Sequence, residues 1–229
     1  MAHRRFYCPR LNDRMFLDGD EFHHLHKVMR VKIGDEIELY DAVGGLGRGR
    51  VTAYESGGAV IELLELSTFP RPERGVIVAP ALLKSTLMDW LVEKLCEMGV
   101  DEIRPIVYNR TEIKAKATML TRWQRIARQT LKVNQRLWAT GIFSPQGFSA
   151  FLESFQQLPA RYFLDLAGSE PMLPPFPRPT LVLIGPPGDF TPEERNRLMK
   201  DQFLPRRINE AVLKSETAAL AVTAILKNG

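Results

Sequence analysis

From residue 75 onward, short apolar runs alternate with segments of helical periodicity, and this alternation constrains the fold more than any other feature. Residues 76–82 form the first run, and its unbroken hydrophobicity is typical of a strand buried on both faces. Residues 84–100 follow with apolar positions four and three apart, which predicts an amphipathic helix. Further strands are predicted over 102–107, 161–166 and 180–184, and a long helix is predicted over 118–138. Strands that alternate with helices predict an α/β fold with a parallel sheet.

The first 68 residues have a different pattern. Short strands are predicted at 14–18, 36–40, 49–54 and 59–66, with glycine-rich turns between them and one short helix at 22–30. This spacing predicts a small β-barrel. Residues 67–75 contain two prolines and mixed charges, as a linker does. We therefore predict a β-barrel domain over residues 1–70 and an α/β domain over residues 71–229.

Basic residues concentrate in one part of the chain. The 229 residues carry a net charge of +4, and a run of basic side chains accompanied only by Glu112 accounts for much of it. A stretch of one charge sign attracts phosphate and makes binding dependent on salt. The alternative is a solvated helix face. The run comprises Arg104, Arg110, Lys114, Lys116, Arg122, Arg125, Arg128, Lys132 and Arg136.

Several classes of protein are disfavoured. Cys8 and Cys96 are too few for a disulfide framework. The N-terminus lacks the apolar core of a signal peptide, and no uncharged stretch is long enough to span a bilayer. The histidines His23, His24 and His26 are not spaced as three ligands on one helix face. We therefore expect a cytoplasmic protein with no metal and no membrane partner.

The sharpest local feature is residues 183–191, LIGPPGDFT, where an apolar strand runs directly into a turn. Ligands of open α/β sheets bind beyond the carboxyl ends of the strands. Pro186 and Pro187 lack backbone N–H donors, which argues against a phosphate cradle. A rigid turn that presents carbonyl oxygens suits an adenine or ribose edge better, and a plain strand-to-helix turn is the alternative. Thr191 and Glu194 have the spacing of a capping box.

A second candidate loop precedes the last predicted helix. Ser215 is a natural N-cap residue, and Glu216 lies in the first turn, where the helix dipole favours a carboxylate. Helix initiation alone would also explain both residues. The functional interpretation is strengthened because each loop follows a predicted strand. We expect the loop after Ile184 and the loop before Glu216 to lie side by side at one edge of the sheet.

These segments resemble a known family. Residues 183–191 are similar to the L-I-G-P-E-G-G-F-[ST] motif of the ribosomal RNA small subunit methyltransferase E family, a branch of the SPOUT methyltransferases. Residues 211–220 (AVLKSETAAL) resemble its R-[IV]-L-R-[TA]-E-T-A-A-L motif, and residues 84–100 resemble its K-x-x-x-x-E-x-x-x-x-K-x-x-E-L-G-V helix. Similar segments at 22–31 and 109–110 extend the resemblance, in order, over nearly the whole chain.

The resemblance implies an N-terminal PUA-like, RNA-binding barrel and a C-terminal SPOUT domain with a deep trefoil knot. It implies a homodimer that binds S-adenosylmethionine (SAM) and methylates N3 of a uridine in small-subunit (16S) ribosomal RNA, either free or in the assembled 30S subunit. No metal is needed, because the sulfonium already carries an activated methyl group. The uracil must lose its N3 proton, and a nearby cation favours that anion.

The resemblance also implies roles for individual residues. Arg136 lies where the family's [EK]-Q-x-G-R motif has its arginine, which implies substrate or transition-state stabilisation, with a phosphate contact at a helix end as the alternative. RNA contacts are expected from Arg30, Arg110, Lys114, Arg128 and Lys132. Cofactor contacts are expected from Leu164, Ile184, Gly185, Pro186, Gly188, Ile208, Asn209, Val212, Leu213, Glu216 and Thr217.

The sequence also departs from the family motifs. Pro187 and Asp189 replace a glutamate and a glycine, and Asn209, Ala211 and Lys214 replace a glycine and two arginines. Lysine lacks the planar fork of arginine, so the change at 214 is not conservative at a bidentate site. These departures leave open a retargeted enzyme or a catalytically silent ribosome assembly factor that binds rRNA with the same fold.

Overall fold

The computed structural model describes residues 4–73, 75–168 and 170–228. Its internal contacts divide the chain into two compact units. The first unit combines Met1–Pro72 with Arg128–Ala139, and the second combines Glu73–Ala127 with Thr140–Gly229. The predicted domain boundary at residue 70 does not account for residues 128–139, whose contacts place them in the first unit. They belong there because, for example, the Tyr40 hydroxyl donates to the Arg128 carbonyl at 3.0 Å.

The first unit is built on a five-stranded sheet. One pair of neighbouring strands is parallel and the other pairs are antiparallel. Buried residues alternate along the strands, and their side chains form a core around Phe6, Leu39 and Ile61. The four predicted strands are confirmed, and the two longest extend beyond their predicted ends. In sheet order the strands are β1 (Arg5–Tyr7), β3 (Glu36–Tyr40), β4 (Gly45–Glu55), β5 (Gly58–Thr68) and β2 (Arg14–Asp18).

The helix predicted at 22–30 is wrong in its bounds and its type. Helix α1 covers only Gly19–His23, and a π-helical segment continues over His24–Val28. The backbone N–H of Met29 bonds to the carbonyl of His24, five residues earlier, at 2.9 Å. A π-helical turn is rare, and the three-and-four spacing of apolar residues gave no sign of it.

The second unit contains a six-stranded sheet in which every pair of neighbours is parallel. The predicted α/β fold with a parallel sheet is confirmed. The predicted strand at 180–184 has the same bounds in the structure. In sheet order the strands are β13 (Leu204–Arg206), β11 (Ala160–Leu164), β12 (Thr180–Ile184), β6 (Val76–Pro80), β7 (Glu102–Ile103) and β9 (Gly141–Ile142).

Helices cover both faces of this sheet. Val78 and Val182 point to a core shared with α2 (Ser85–Glu97) and α6 (Ser215–Asn228). The alternate residues Ile77 and Leu183 point to a second core with α4 (Phe148–Glu153) and α5 (Pro192–Lys200). All five residues of β6 are buried, which confirms burial on both faces. Each buried valine or isoleucine side chain of β6 contributes about 1.5–3 kcal/mol of burial free energy.

One predicted strand is divided. Residues 102–107 form β7 and a separate strand, β8 (Ile106–Val107), which pairs with β10 (Gln146–Gly147) in a small second sheet. Pro105 lies at the break, because a proline cannot donate a ladder hydrogen bond. Helix α3 (Ala117–Asn134) ends before its predicted end at 138, and the next residue, Gln135, has a left-handed φ of 58°.

Candidate functional site

A cavity of about 730 Å³ lies in the second unit, beyond the carboxyl ends of β11 and β12. Two loops supply much of its lining. We call residues 185–191, which connect β12 to α5, the first cavity loop, and residues 207–214, which connect β13 to α6, the second cavity loop. The two predicted loops therefore do lie side by side at one edge of a parallel sheet.

The first cavity loop begins with a tight turn. The backbone N–H of Asp189 bonds to the carbonyl of Pro186 at 3.0 Å. Gly188 and Asp189 have φ values of 92° and 68°, in the left-handed region. Aspartate tolerates that region better than most residues, which explains how it replaces the glycine of the family motif. The turn presents Gly188 to the cavity with its backbone conformation fixed.

The first cavity loop continues into the predicted capping box, which is confirmed. The Thr191 hydroxyl accepts from the Glu194 N–H at 3.2 Å, and the Glu194 carboxylate accepts from the Thr191 N–H at 2.9 Å. Phe190 is buried, with its ring against Tyr108 and Phe163 at 5.5 and 5.6 Å between centroids. Burial raises the pKa of Tyr108 well above its usual value, so the phenol stays neutral.

Ser215 joins the second cavity loop to the first. Its hydroxyl donates to the carbonyl of Gly185 at 2.8 Å. Helix α6 begins at Ser215 itself, because the carbonyl of Lys214 already accepts from the N–H of Ala218. The sequence interpretation of Ser215 as an N-cap residue is therefore wrong by one position. Glu216 is confirmed in the first turn and lines the cavity.

A network of charged side chains connects the first cavity loop to the segment that follows β11. Arg195 on α5 is paired with Asp165, which follows β11, and with Asp189 at 2.9 Å. Asp165 is buried and lines the cavity, and its second oxygen accepts from the N–H of Ala167. Charge-assisted bonds of this kind are stronger than neutral ones. The network joins the ends of β11 and β12 through one guanidinium.

Most of the cofactor contacts expected from the sequence line this one cavity. The exception is Thr217, which does not contribute to the lining. Sequence reasoning missed Leu87, Asp165 and Leu166, which the cavity brings together from α2 and from the end of β11. The strand pattern was the available signal for the last two, since ligands bind at carboxyl ends of strands. The ten expected residues that line the cavity are Leu164, Ile184, Gly185, Pro186, Gly188, Ile208, Asn209, Val212, Leu213 and Glu216.

The residues expected to contact RNA are divided between the units. Arg110 and Lys114 are exposed residues of the second unit. In the first unit, Lys132 pairs with Glu21 at 2.6 Å, and the Arg128 guanidinium lies 5.5 Å from the centre of a tyrosine ring. Arg30 is exposed there as well.

Arg136, the expected catalytic residue, also belongs to the first unit, and it is not among the residues that line the cavity. Its carbonyl accepts from a guanidinium nitrogen of Arg5 at 3.4 Å, and its N–H bonds to the Asn134 side chain at 3.1 Å.

Neither a metal nor a membrane is an expected partner of this chain. Across 4–73, 75–168 and 170–228, no three histidine, cysteine, aspartate or glutamate side chains come together as metal ligands would. Within the same ranges, none of the helices combines the length and hydropathy that crossing a bilayer requires.

Comparison with protein families decides the class of this site. A family model described as an RNA methyltransferase domain matches residues 70–227. The chain belongs to the RNA methyltransferase domain family. A second model, described as an RNA methyltransferase PUA domain, matches residues 17–64, so the first unit contains a PUA-like domain. Both cavity loops lie inside the first match.

Individual relatives support the resemblance to the ribosomal RNA small subunit methyltransferase E family, which is confirmed. The protein of that name from Synechocystis is 25% identical over 95% of this chain and 75% of its own. The one from Neisseria gonorrhoeae, solved bound to S-adenosyl methionine, is 24% identical, with a TM-score of 0.83 over 99% of this chain and 97% of that chain. A methyltransferase from Legionella pneumophila, solved with SAM, has a TM-score of 0.87 at 21% identity over 100% and 98%.

Proposed function

We propose that this chain is a SAM-dependent methyltransferase that modifies N3 of a uridine in small-subunit ribosomal RNA. The observation that carries the proposal is the cavity that both cavity loops line. These two loops carry the motifs that resemble those of the ribosomal RNA small subunit methyltransferase E family. Its substrate is ribosomal RNA, free or within the small subunit. Such a substrate is found in the cytoplasm, so we infer that the enzyme works there.

The cavity suits SAM in size and chemistry. Its volume of about 730 Å³ falls in the range of small-molecule sites. Leu87, Leu164 and Val212 supply apolar surface for the adenine and the methylene groups. Asp165 and Glu216 supply carboxylates on the same lining, which complement a cationic ligand. When bound, SAM supplies a methyl group activated by its sulfonium, so the protein needs no metal for the transfer.

The residues of this chain then have to orient the acceptor and stabilise its charge. In the transfer, the N3 electron pair forms the new bond to the methyl carbon and the carbon–sulfur bond breaks. The N3 proton passes to solvent or to a base that we do not assign. We propose that Arg136 stabilises the uracil anion electrostatically. RNA is held by Arg30, Arg110, Lys114, Arg128 and Lys132.

The finer architecture follows from the same proposal. We propose a PUA-like domain over residues 1–70 and a SPOUT domain over residues 71–229 with a trefoil knot. Residues 128–139 lie within the second range of sequence, although their contacts assign them to the first unit. The path of the chain supports the knot: β13 lies beyond β11, and the chain then returns so that Ser215 reaches Gly185. We further propose a homodimer, for which sedimentation at working concentration gives the test; a monomer alone contradicts it.

Two measurements test the main proposal. Calorimetry should give a dissociation constant in the micromolar range for SAM. Mass mapping of small-subunit rRNA should show one uridine that carries a methyl group in cells with the gene and lacks it in cells without the gene. Absence of SAM binding would favour the silent assembly factor, and a methyl group on another base would favour a retargeted enzyme.

The role of Arg136 has its own test. Arg136→Ala should reduce methyl transfer far more than it weakens SAM affinity, because the proposed contact is with the acceptor. Equal losses in both would contradict the assignment.

A further inference from the structure

Arg110 occupies a defined position at the edge of the cavity. Its guanidinium nitrogen Nη1 donates to the carbonyl of Gly188 at 3.3 Å, and Gly188 is part of the cavity lining. The side chain is otherwise exposed, so its remaining N–H groups face solvent. A planar guanidinium with one donor held by the protein can present the others to a carbonyl oxygen of a ligand.

The segment that carries Arg110 is fixed to the first cavity loop by a second contact. Glu194 is buried, and its Oε1 accepts from the N–H of Asn109 at 2.9 Å while its Oε2 accepts from the N–H of Thr191. The ring of Tyr108 packs against Phe190 of the same loop. Three successive residues, 108–110, therefore each contact the first cavity loop or the helix that follows it.

Two of the carboxylates near Arg110 are already engaged by other groups. Asp189 is paired with Arg195, and Glu194 is committed to two backbone N–H groups. Glu193 is the exposed carboxylate nearby. Its pKa is lowered by a backbone N–H first, then by the Thr191 hydroxyl, with a smaller contribution from the Arg110 charge. Arg110 thus places a positive charge at the edge of the cavity.

We propose that Arg110 contacts a carbonyl oxygen of the target uracil and stabilises the anion formed when N3 loses its proton, with Glu194 as its positioning residue. This inference rests on the proposed function and extends it, because it gives Arg110 a role at the base rather than at the phosphate backbone. The negative charge of the N3 anion is shared by the two neighbouring carbonyl oxygens. A cation fixed at the mouth of the methyl-donor cavity lies where that charge develops.

The test uses substrates whose N3 acidity differs. Small-subunit rRNA is transcribed with uridine or with 5-fluorouridine, whose electron-withdrawing fluorine makes N3 more acidic. Methyl transfer from labelled SAM is then measured for the wild-type chain and for Arg110→Ala, Arg110→Lys and Glu194→Gln. Lys200→Ala removes an exposed cation of the same unit and is the matched control. Calorimetry with SAM and a thermal melt, run on each variant, report the cavity and the fold independently of activity.

On uridine rRNA at neutral pH, Arg110→Ala should lower kcat about 100-fold, as loss of one oxyanion donor does. The deficit should shrink at least tenfold on 5-fluorouridine rRNA, and also on uridine rRNA in alkaline buffer, while SAM affinity is unchanged. Arg110→Lys and Glu194→Gln should show smaller deficits that shrink in the same way, and Lys200→Ala should match the wild type.

An Arg110→Ala deficit that is equal on both substrates, or that affects only KM, would overturn the inference, because a phosphate contact does not depend on N3 acidity. A wild-type chain that methylates neither substrate would instead overturn the proposed function, and this inference with it.

Discussion

The two cavity loops differ in how they are held. The first is contacted by side chains from three other segments: Arg110 bonds to the Gly188 carbonyl, Arg195 pairs with Asp189, and Ser215 bonds to the Gly185 carbonyl. The second is bonded at its start by the backbone, where Arg207 exchanges hydrogen bonds with residues 170 and 172. Further along, Val212 is 81% exposed.

This difference separates two tasks. A loop fixed by several side chains keeps its shape before a ligand arrives, so binding does not have to order it. A loop with an exposed apolar side chain can bury that side chain only when a ligand covers it. We infer that the first cavity loop determines the geometry of the site and that the second contributes affinity. Mutations in the first should therefore affect folding, and mutations in the second should affect binding.

The largest effect is expected for Phe190→Ala. Phe190 is 5% exposed and packs against Tyr108 and Phe163, so its removal leaves a cavity in the core. The free energy of unfolding, measured with denaturant, should fall by about 3–5 kcal/mol. Phe190→Leu, which keeps most of the volume, should lose much less. A loss under about 1 kcal/mol for Phe190→Ala would mean that the first loop is not held by this ring.

An intermediate effect is expected for Thr191→Ala, which removes the hydroxyl that accepts from the Glu194 N–H. Loss of such a cap should lower the free energy of unfolding by about 1 kcal/mol. Thr191→Ser retains the hydroxyl and is the matched control. If both variants lost the same stability, the methyl group and not the capping bond would be responsible.

The smallest effect on stability is expected for Val212→Ser in the second loop. An exposed position should change the free energy of unfolding by less than about 0.5 kcal/mol. Calorimetry should nevertheless show SAM binding weakened roughly tenfold, because apolar area that the ligand covers is lost. Val133→Ser, at a valine 79% exposed in the first unit, should leave the affinity unchanged. Unchanged affinity in Val212→Ser would remove the distinction between the loops.

The sequence predicts those parts of the molecule whose signals are local. The capping box at Thr191 and Glu194 follows from residue types at fixed spacing, and the strand before it from an unbroken apolar run. The meeting of the two cavity loops follows from the rule for carboxyl ends of strands, and from the resemblance of both loops to one family.

Other features depend on contacts between residues that are distant in the sequence, and no local pattern predicts them. The side chain of Asp165 is paired with Arg195, thirty residues later, and no spacing in the sequence predicts that pair. Residues 128–139 join the first unit through contacts such as the pair of Lys132 with Glu21. The π-helical segment after His23 has apolar spacing close to that of an ordinary helix, so periodicity could not distinguish the two.

The hydrogen bond from Ser215 to Gly185 also has a consequence for timing. During synthesis, β12 and the first cavity loop are made before the second cavity loop and α6. The growing polypeptide therefore contains one of the two loops that line the cavity before it contains the other. A chain that stops short of residue 215 lacks the hydroxyl that bonds to the Gly185 carbonyl, so this link between the two cavity loops is missing. We therefore expect a chain truncated before residue 215 to bind the methyl donor more weakly than the full chain, which calorimetry can measure.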